Sequence, residues 1–507
     1  MSAPAQPDWV AHRAGVMPGK VALIEGARDV TYADLNGWAD AVAATLFERG
    51  VTAGDRVALL APNSLEFAAA VHGVSRAGAV LVPLNARLTA DDQAWQVSHA
   101  GAKVVLFHGD AEERARAVAK LAGIGAVALT PHPSPPGWRG EQEACDPDPD
   151  VRPSPLQDHG EGPGVRAHSA TDVHSIIYTS GTTGRPKGAM LTYGNFFASA
   201  SASAFNIGVA ADDRWLACMP LFHVGGLSIL LRSAIYGTAA VIQPGFDEAA
   251  VNRSVREDGI TLLSVVPTML KRMLDTDDLP FPPGMRAVLV GGGPVTKDLL
   301  EQALARGLPV LQTYGLTESC SQVSTLTPAD AAARVGSAGK PLVTTQLRID
   351  APPREPGEIL VAGPTVTPGY HDDPEATARA IRDGWLHTGD IGRLDDEGFL
   401  YVLDRRDDLV ITGGENVYPA EVEGHLLQHP CIEAAAVVGV RDARWGQMVT
   451  AAVVTRPGFD AAEVETWLRD RLAHYKVPRR FVEMAALPAT ASGKVQRHKV
   501  REMVEGG

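Results

Sequence analysis

The chain has 507 residues, 45% of them hydrophobic and 21% charged, with a net charge of −14. That composition supports several packed folding units and excludes a mainly disordered or collagen-like chain, while the acidic balance argues against a nucleic-acid or anionic-membrane binder. The cysteines (Cys145, Cys218, Cys320 and Cys431) are widely spaced with no CxxC, which excludes a disulfide scaffold and a cysteine-rich zinc site and fits a reducing, cytoplasmic compartment.

Met1 to Val10 lacks an apolar core behind a basic flank, so no signal peptide is expected, and no run approaches the ~20 apolar residues of a membrane-spanning helix. Val21 to Glu25 reads as a strand. Thr31 then caps a helical pattern that runs through Phe47. Arg56 to Leu60 is a strand, Ser64 to Ala77 a helix, and Gly78 to Pro83 and Lys103 to Phe107 further strands. Strands alternating with helices predict a largely parallel sheet covered on both faces. Thr130 to Arg166 is rich in proline and charge and reads as a long surface connection, partly disordered.

The alternation resumes with a strand at Val173 to Tyr178, a Gly/Thr-rich loop and a helix from about Thr192 to Phe205. Strands at Gly237 to Ile242, Leu262 to Val266 and Ala287 to Val290 follow, the last leading into Gly291-Gly-Gly-Pro294 and a helix capped by Thr296. From Gln346 to Tyr401 short strands with Gly/Pro turns dominate, a small β-rich subdomain. The last stretch reads as helix Pro419 to Leu427, strands Glu433 to Val440 and Met448 to Thr455, helix Ala461 to Ala473 and strand Phe481 to Val482. The charged run Asp404-Arg-Arg-Asp-Asp408 marks the expected boundary. The expected architecture is therefore α/β: a large N-terminal body of mixed and parallel sheets with flanking helices, residues 1–406, and a small α+β C-terminal domain, residues 407–507.

The strongest chemical feature is Tyr178-Thr-Ser-Gly-Thr-Thr-Gly-Arg-Pro-Lys-Gly188. Gly181, Gly184 and Gly188 permit tight turns that aim several N–H groups at one point. Thr179, Ser180, Thr182 and Thr183 add hydroxyl donors and Lys187 a positive charge, a set that suits a di- or triphosphate. It is not a Walker A loop, because G-x-x-x-x-G-K-[ST] is absent.

This string resembles the signature of the adenylate-forming superfamily, which includes acyl-CoA synthetases, peptide-synthetase adenylation domains and beetle luciferases. Further segments match that superfamily in the same order: Pro220-Leu-Phe-His223, Tyr314-Gly-Leu-Thr-Glu318, Gly384-Trp-Leu-His-Thr-Gly-Asp390, Asp404-Arg-Arg-Asp407, Gly413-Gly-Glu-Asn416 with Pro419-Ala-Glu421, and Ser492-Gly-Lys494. The resemblance covers about Trp9 to Lys499. It implies ATP, Mg²⁺ and coenzyme A as cofactors and cosubstrates, and a C-terminal domain that moves as a lid about a hinge at Asp407.

The residue roles follow as expectations. Thr179, Ser180, Gly181, Thr182, Thr183, Gly184 and Lys187 cradle phosphate, with Thr183 and Lys187 also catalytic. Tyr314 can stack on a purine, although taken alone it is as readily a core aromatic. Gly315 and Thr317 accompany it, the Thr317 hydroxyl donating to phosphate, and Glu318 supplies a carboxylate oxygen for Mg²⁺. Asp390, in isolation a turn aspartate, is implied to bind ribose, with Arg405 as a second ribose or phosphate contact. Gly291, Gly292 and Gly293 form a floor for adenine and the acyl group. Lys494 reaches the site during adenylation, then withdraws as the C-terminal domain rotates, leaving Gly413 and Gly414 to line the thiol channel.

Other stretches are similar to one branch, the o-succinylbenzoate–CoA ligases of menaquinone biosynthesis: His223-Val-Gly-Gly-Leu-Ser228, Arg232-Ser-Ala-Ile-Tyr-Gly237, Leu289-Val-Gly-Gly-Gly-Pro294, Gln312 to Gln322 and Gly336-Ser-Ala-Gly-Lys-Pro341. Their 2-succinylbenzoate substrate carries a second, aromatic carboxylate that needs a cation or polar donors. Arg232 is the expected cation, with Ser228 nearby, His223 gating the acyl pocket, and Thr268 and Ser319 lining it. The same chemistry on another aryl, short-chain or dicarboxylic acid is the alternative. An adenylate-burning oxygenase, an ADP-releasing phosphotransferase and a non-catalytic nucleotide binder are the competing classes. A homo-oligomer is compatible with the sequence; a nucleic-acid partner and a membrane span are not expected.

Overall fold

The computed structural model describes residues 5–129, 167–179, 186–293, 295–405, 408–412, 415–442, 445–490 and 495–506. The Pro-rich connection expected over 130–166 lies outside them.

Local signals place the first elements. The Thr31 side chain accepts from Asp34 N while Asp34 returns a bond to the Thr31 backbone, and this capping box starts the helix Tyr32–Glu48. The Ser64 hydroxyl accepts from Phe67 N at 3.1 Å and so caps the helix Leu65–Arg76. The helix Tyr32–Glu48 buries Tyr32, Leu35, Trp38, Val42 and Leu46 at helical spacing. The Tyr32 hydroxyl, although deep in the core, bonds the carbonyls of Ser233 and Thr238 at 2.9 and 2.8 Å, so no polar atom of this ring is stranded.

Two sheets build the N-terminal body. One has six strands in the order Lys187–Thr192, Val173–Thr179, Val80–Pro83, Arg56–Leu60, Ala102–Phe107, Gly125–Ala128. The other has nine, with Val310–Leu316, Ala287–Val290, Leu262–Val265, Arg214–Ala217, Ala239–Ile242 and Val21–Glu25 adjacent in that order. Both are parallel at their centres and carry antiparallel edges. Their central strands, among them Val80–Pro83, Ala239–Ile242 and Ala287–Val290, are buried on both faces, as placement beneath two layers requires. One hydrophobic core runs from the helices Tyr32–Glu48 and Leu65–Arg76 to Tyr193–Ile207 and Val224–Tyr236.

A five-stranded antiparallel sheet, with Gln346–Asp350, Gly357–Ala362 and Trp385–Leu394 in sequence, forms the expected β-rich unit. Beyond it, Val410–Thr412, Glu415–Val417, Ile432–Asp442, Gly446–Thr455 and Arg480–Glu483 make another five-stranded sheet. Val437, Val449, Ala451, Val464 and Leu468 form a core on one face of it, and Val438, Ala452, Val500 and Val504 a core on the other.

One element departs from the sequence reading. Lys187–Thr192 is a strand, antiparallel to Val173–Thr179, before the helix Tyr193–Ile207 begins. The Gly/Thr-rich string from Tyr178 to Gly188 therefore connects two paired strands rather than leading from strand to helix. The run is short and begins Lys-Gly, so its strand character arises from pairing with a neighbour and not from local preference.

Candidate functional site

The strands Leu262–Val265, Ala287–Val290 and Val310–Leu316 are parallel neighbours, with Val265 opposite Val290 and Val290 opposite Gln312. Their carboxyl ends emerge side by side, where open α/β sheets place their ligands. Val266 to Thr268 and Gly291 to Gly293 follow from these ends, and Thr313 to Glu318 continue beyond Gln312, where the parallel pairing stops. Thr268 is exposed in the first turn of the helix Pro267–Thr276. Gly292 takes φ +79°, and it and Gly293 are exposed.

Gly315 sits where a side chain is impossible. An added Cβ would lie 1.6 Å from the Ser321 carbonyl oxygen. The close approach folds Thr317–Ser319 into a single 3-10 turn, and Cys320 and Ser321 beyond it adopt φ +53° and +89°. Such left-handed conformations cost roughly 1–3 kcal/mol each and persist where the surroundings enforce them. The Ser319 hydroxyl is engaged with the Leu316 backbone, and Ser199 Oγ donates to the Cys320 carbonyl at 2.7 Å.

Tyr314 packs with Val323, Ile359, Val361, Leu386 and Leu400 and is 9% exposed. Its hydroxyl donates to Asp390 Oδ2 at 2.7 Å, and Asp390 is 6% exposed. The Asp390 backbone N–H is held by Thr388 Oγ1 at 3.0 Å, and Gly389 N donates to Glu358 Oε1 at 3.0 Å. Arg405 stands opposite Asp390 across the paired strands.

Thr179 and Lys187 face each other at the loop end of the hairpin, Thr179 Oγ1 lying 3.5 Å from the Lys187 carbonyl. The Lys187 ammonium stands 5.3 Å from the centroid of the Tyr370 ring, and the Tyr370 hydroxyl donates to Glu318 Oε1 at 2.8 Å. The hairpin and the Glu318 turn, distant in sequence, thus meet at Tyr370. Ser180, Gly181, Thr182, Thr183, Gly184, Asp407, Gly413, Gly414 and Lys494 lie outside the described residues, as does the side chain of Arg405.

Among the described residues no three His, Cys, Asp or Glu side chains converge on a metal position. Glu318 offers a lone carboxylate, half-buried. That donor set fits magnesium, which binds through one or two carboxylates and takes its other oxygens from phosphate and water.

A further group of the expected site residues lies on the helix Val224–Tyr236. His223 is its N-cap residue and lies beside Phe222, ring centroids 4.5 Å apart. Burial, aided by the nearby positive charge of Arg87, lowers His223 to about 4, so the imidazole is neutral at pH 7. Asn63 holds the turn before it, donating to the Met219 carbonyl at 2.8 Å and accepting from Leu221 N at 2.9 Å.

Arg232 lies two helical turns further and is 4% exposed. It donates to Ser199 Oγ at 3.0 Å and lies 5.6 Å from the Trp215 ring centroid. Among the described residues no carboxylate comes within ion-pair distance of it, and its Nε has no hydrogen-bond partner. Burial lowers its affinity for the proton. The Ser228 hydroxyl, one turn back, is also buried and without a partner among the described residues. A desolvated guanidinium with no counter-charge is costly; together with Ser228 it provides donors for an anion.

Sequence reasoning missed Asn63, Ser199, Glu358 and Tyr370. Asn63, after Ala61-Pro62, carries only the ordinary signal of a turn residue, and the others carry none that local pattern could have revealed.

Residues 10–371 match the family described as AMP-binding enzyme, and residues 421–494 the AMP-binding enzyme C-terminal domain. The chain is similar to a 2-succinylbenzoate–CoA ligase of Bacillus mycoides (strain KBAB4), 42% identical with 98% of this chain and 99% of the relative covered. It is also similar to a solved structure of o-succinylbenzoate CoA synthetase from Bacillus subtilis in complex with the acyl-adenylate intermediate OSB-AMP, at 36% identity and a TM-score of 0.87, covering 98% of each chain. A second structure of the Bacillus subtilis enzyme, in complex with ATP and magnesium ion, matches with a TM-score of 0.86 and 36% identity, covering 98% of this chain and 99% of that one.

Proposed function

The chain belongs to the AMP-binding enzyme family, and from that premise we propose that it is an ATP-dependent 2-succinylbenzoate–CoA ligase, an acid–thiol ligase that forms AMP. The observation that carries the choice of acid is Arg232, on the helix that His223 begins: a buried cation with no carboxylate partner among the described residues. An acid with a second carboxylate would supply the missing charge. Relatives of that activity matched along nearly the whole chain support the reading.

The reaction has two halves. In the first, an oxygen of the aliphatic carboxylate bonds to the α-phosphorus of ATP as the bond to the β-phosphate oxygen breaks, giving acyl-AMP and pyrophosphate. The carboxylate is already ionised, so no general base is required. Positioning and charge neutralisation lower the barrier. Lys187 and the Thr179–Gly184 loop bind the phosphates, Asp390 the ribose, and the backbone of Gly291 to Gly293 lies under the adenine. Glu318 would hold magnesium, which would supply charge neutralisation at the triphosphate. Lys494 brings a cation to the α-phosphate, an effect worth roughly 10²–10³ in rate.

In the second half the sulfur of coenzyme A bonds to the acyl carbon, AMP leaves, and the thiol proton passes to solvent. The C-terminal unit rotates about Asp407 between the halves, so that Lys494 withdraws and Gly413 and Gly414 line the thiol path. The neutral His223 borders the acyl group, with Ser228, Thr268 and Ser319 around it. The product belongs to menaquinone biosynthesis in the cytoplasm. No helix among the described residues is long and apolar enough to cross a membrane.

The test is a panel of carboxylic acids with ATP, magnesium and coenzyme A, read as AMP release and thioester mass. The expected outcome is AMP, pyrophosphate and succinylbenzoyl-CoA. Turnover confined to a monocarboxylic aryl or short-chain acid would replace the substrate assignment, and release of ADP would overturn the reaction class.

A further inference from the structure

The Lys187 ammonium and the Glu318 carboxylate approach the same ligand from different parts of the chain, and a direct ion pair between them would consume both. Among the described residues neither is paired with an opposite charge within ion-pair distance. Tyr370 stands between them, its ring face 5.3 Å from Lys187 Nζ and its hydroxyl 2.8 Å from Glu318 Oε1.

The position of Tyr370 is over-determined. Its backbone bridges to Ala189 in the hairpin strand, Met190 N donates to the Gly369 carbonyl at 3.0 Å and His371 N to the Gly188 carbonyl at 2.8 Å. Thr367 N donates to the Glu318 carbonyl at 2.8 Å, so the same segment holds the backbone that carries the carboxylate. Gly369 takes φ +144°, and a Cβ there would lie 2.5 Å from Thr377 Cγ2, whose hydroxyl accepts from Tyr370 N at 2.9 Å. A residue built in this way from both sides is placed rather than incidental.

We propose that Tyr370 is a positioning residue for adenylation: it orients the Glu318 carboxylate by its hydroxyl and holds the Lys187 ammonium against its ring face, keeping the two charges apart and available to the magnesium triphosphate. The ring face attracts the cation electrostatically without neutralising it. The phenol O–H leaves the carboxylate its full charge while fixing its direction. The inference deepens the ligase reading and rests on it for the identity of the nucleotide.

Two variants of the full-length enzyme separate the parts of this role. Tyr370→Phe keeps the ring and deletes the hydroxyl; Tyr370→Leu deletes both. In calorimetric titrations, Tyr370→Phe should bind Mg·ATP roughly tenfold more weakly, the scale of one hydrogen bond to a charged group, while AMP affinity stays within about twofold. Tyr370→Leu should weaken Mg·ATP further. In pyrophosphate exchange the magnesium concentration for half-maximal rate should rise in Tyr370→Phe, with thiolysis of supplied acyl-adenylate unchanged. A Tyr370→Phe enzyme that binds Mg·ATP as tightly as the parent overturns the proposal. So does one that loses AMP and Mg·ATP affinity alike, the mark of a merely structural role. If the parent exchanges pyrophosphate with no acid, the ligase reading is lost, and the calorimetric comparison still decides the role of Tyr370.

Discussion

The phenol of Tyr314 and the carboxylate of Asp390 are joined by a 2.7 Å hydrogen bond that ties the strand Val310–Leu316 of the nine-stranded sheet to Trp385–Leu394 of the smaller one. The family resemblance assigns one of these residues to adenine and the other to ribose, so this bond sets the spacing between two parts of one nucleoside. Tyr314→Phe should raise the KM for ATP severalfold and lower the unfolding free energy by about 1.5–3 kcal/mol, the cost of a hydrogen bond to a charged group. Kinetics with ATP as the varied substrate and denaturant unfolding check both. An unchanged KM would mean that the bond serves stability alone.

Arg232→Ala should lower kcat/KM for succinylbenzoate by roughly 10²-fold or more, the range for removing one partner of a buried charge pair, while pyrophosphate exchange with monocarboxylic acids is spared. Arg232→Met tests the converse. An uncompensated buried cation is destabilising, and an apolar side chain of similar length in its place should raise Tm by a few degrees even as activity on succinylbenzoate falls. If both variants retain kcat/KM for succinylbenzoate, the substrate assignment fails.

Gly315→Ala should be severely destabilising, because the added methyl would overlap the Ser321 carbonyl at 1.6 Å. Relief demands that the two strands part, which costs about 3 kcal/mol or more. The expected result is loss of the cooperative unfolding transition at the parent's Tm. A variant that folds normally with an intact Glu318 turn would refute the steric argument.

His174 is buried against Trp9, Tyr193 and Phe196, and burial, with the nearby His72 and His168, lowers it to about 3 from 6.5. Between those values the unfolded chain binds a proton that the folded protein refuses. Stability is therefore full above about pH 6.5 and declines as pH falls toward 3, by about 1.4 kcal/mol per pH unit for this one group. His174→Phe, which places an apolar ring in an aromatic surround, should flatten the acid limb of the stability curve by that slope. Urea unfolding at a series of pH values from 7 to 5 gives the comparison; parallel curves for parent and variant would contradict it.

The expected fold is legible wherever a local interaction decides it. The capping residues Thr31, Ser64, Thr192 and Thr296 start helices where their side chains accept the first free N–H groups, and the apolar run Arg56–Leu60 is a strand with the bounds its pattern gives. The strand Lys187–Thr192 is not legible, since its pairing partner and not its composition makes it extended.

The sequence, through the ordered motifs that resemble the adenylate-forming superfamily, determined the reaction class. A string rich in glycine and threonine suited to phosphate, the carboxylate Glu318 and the basic residue Arg232 are fixed by residue order before any chain is folded. Tertiary structure alone decided how those groups are kept from one another. Lys187 and Glu318 are far apart in sequence and meet across Tyr370, and Tyr314 reaches Asp390 only because separate sheets abut. Hydrogen bonds and ring contacts act over a few ångströms, and which residues come that close is set by the packing of whole layers, a property no local window of sequence contains.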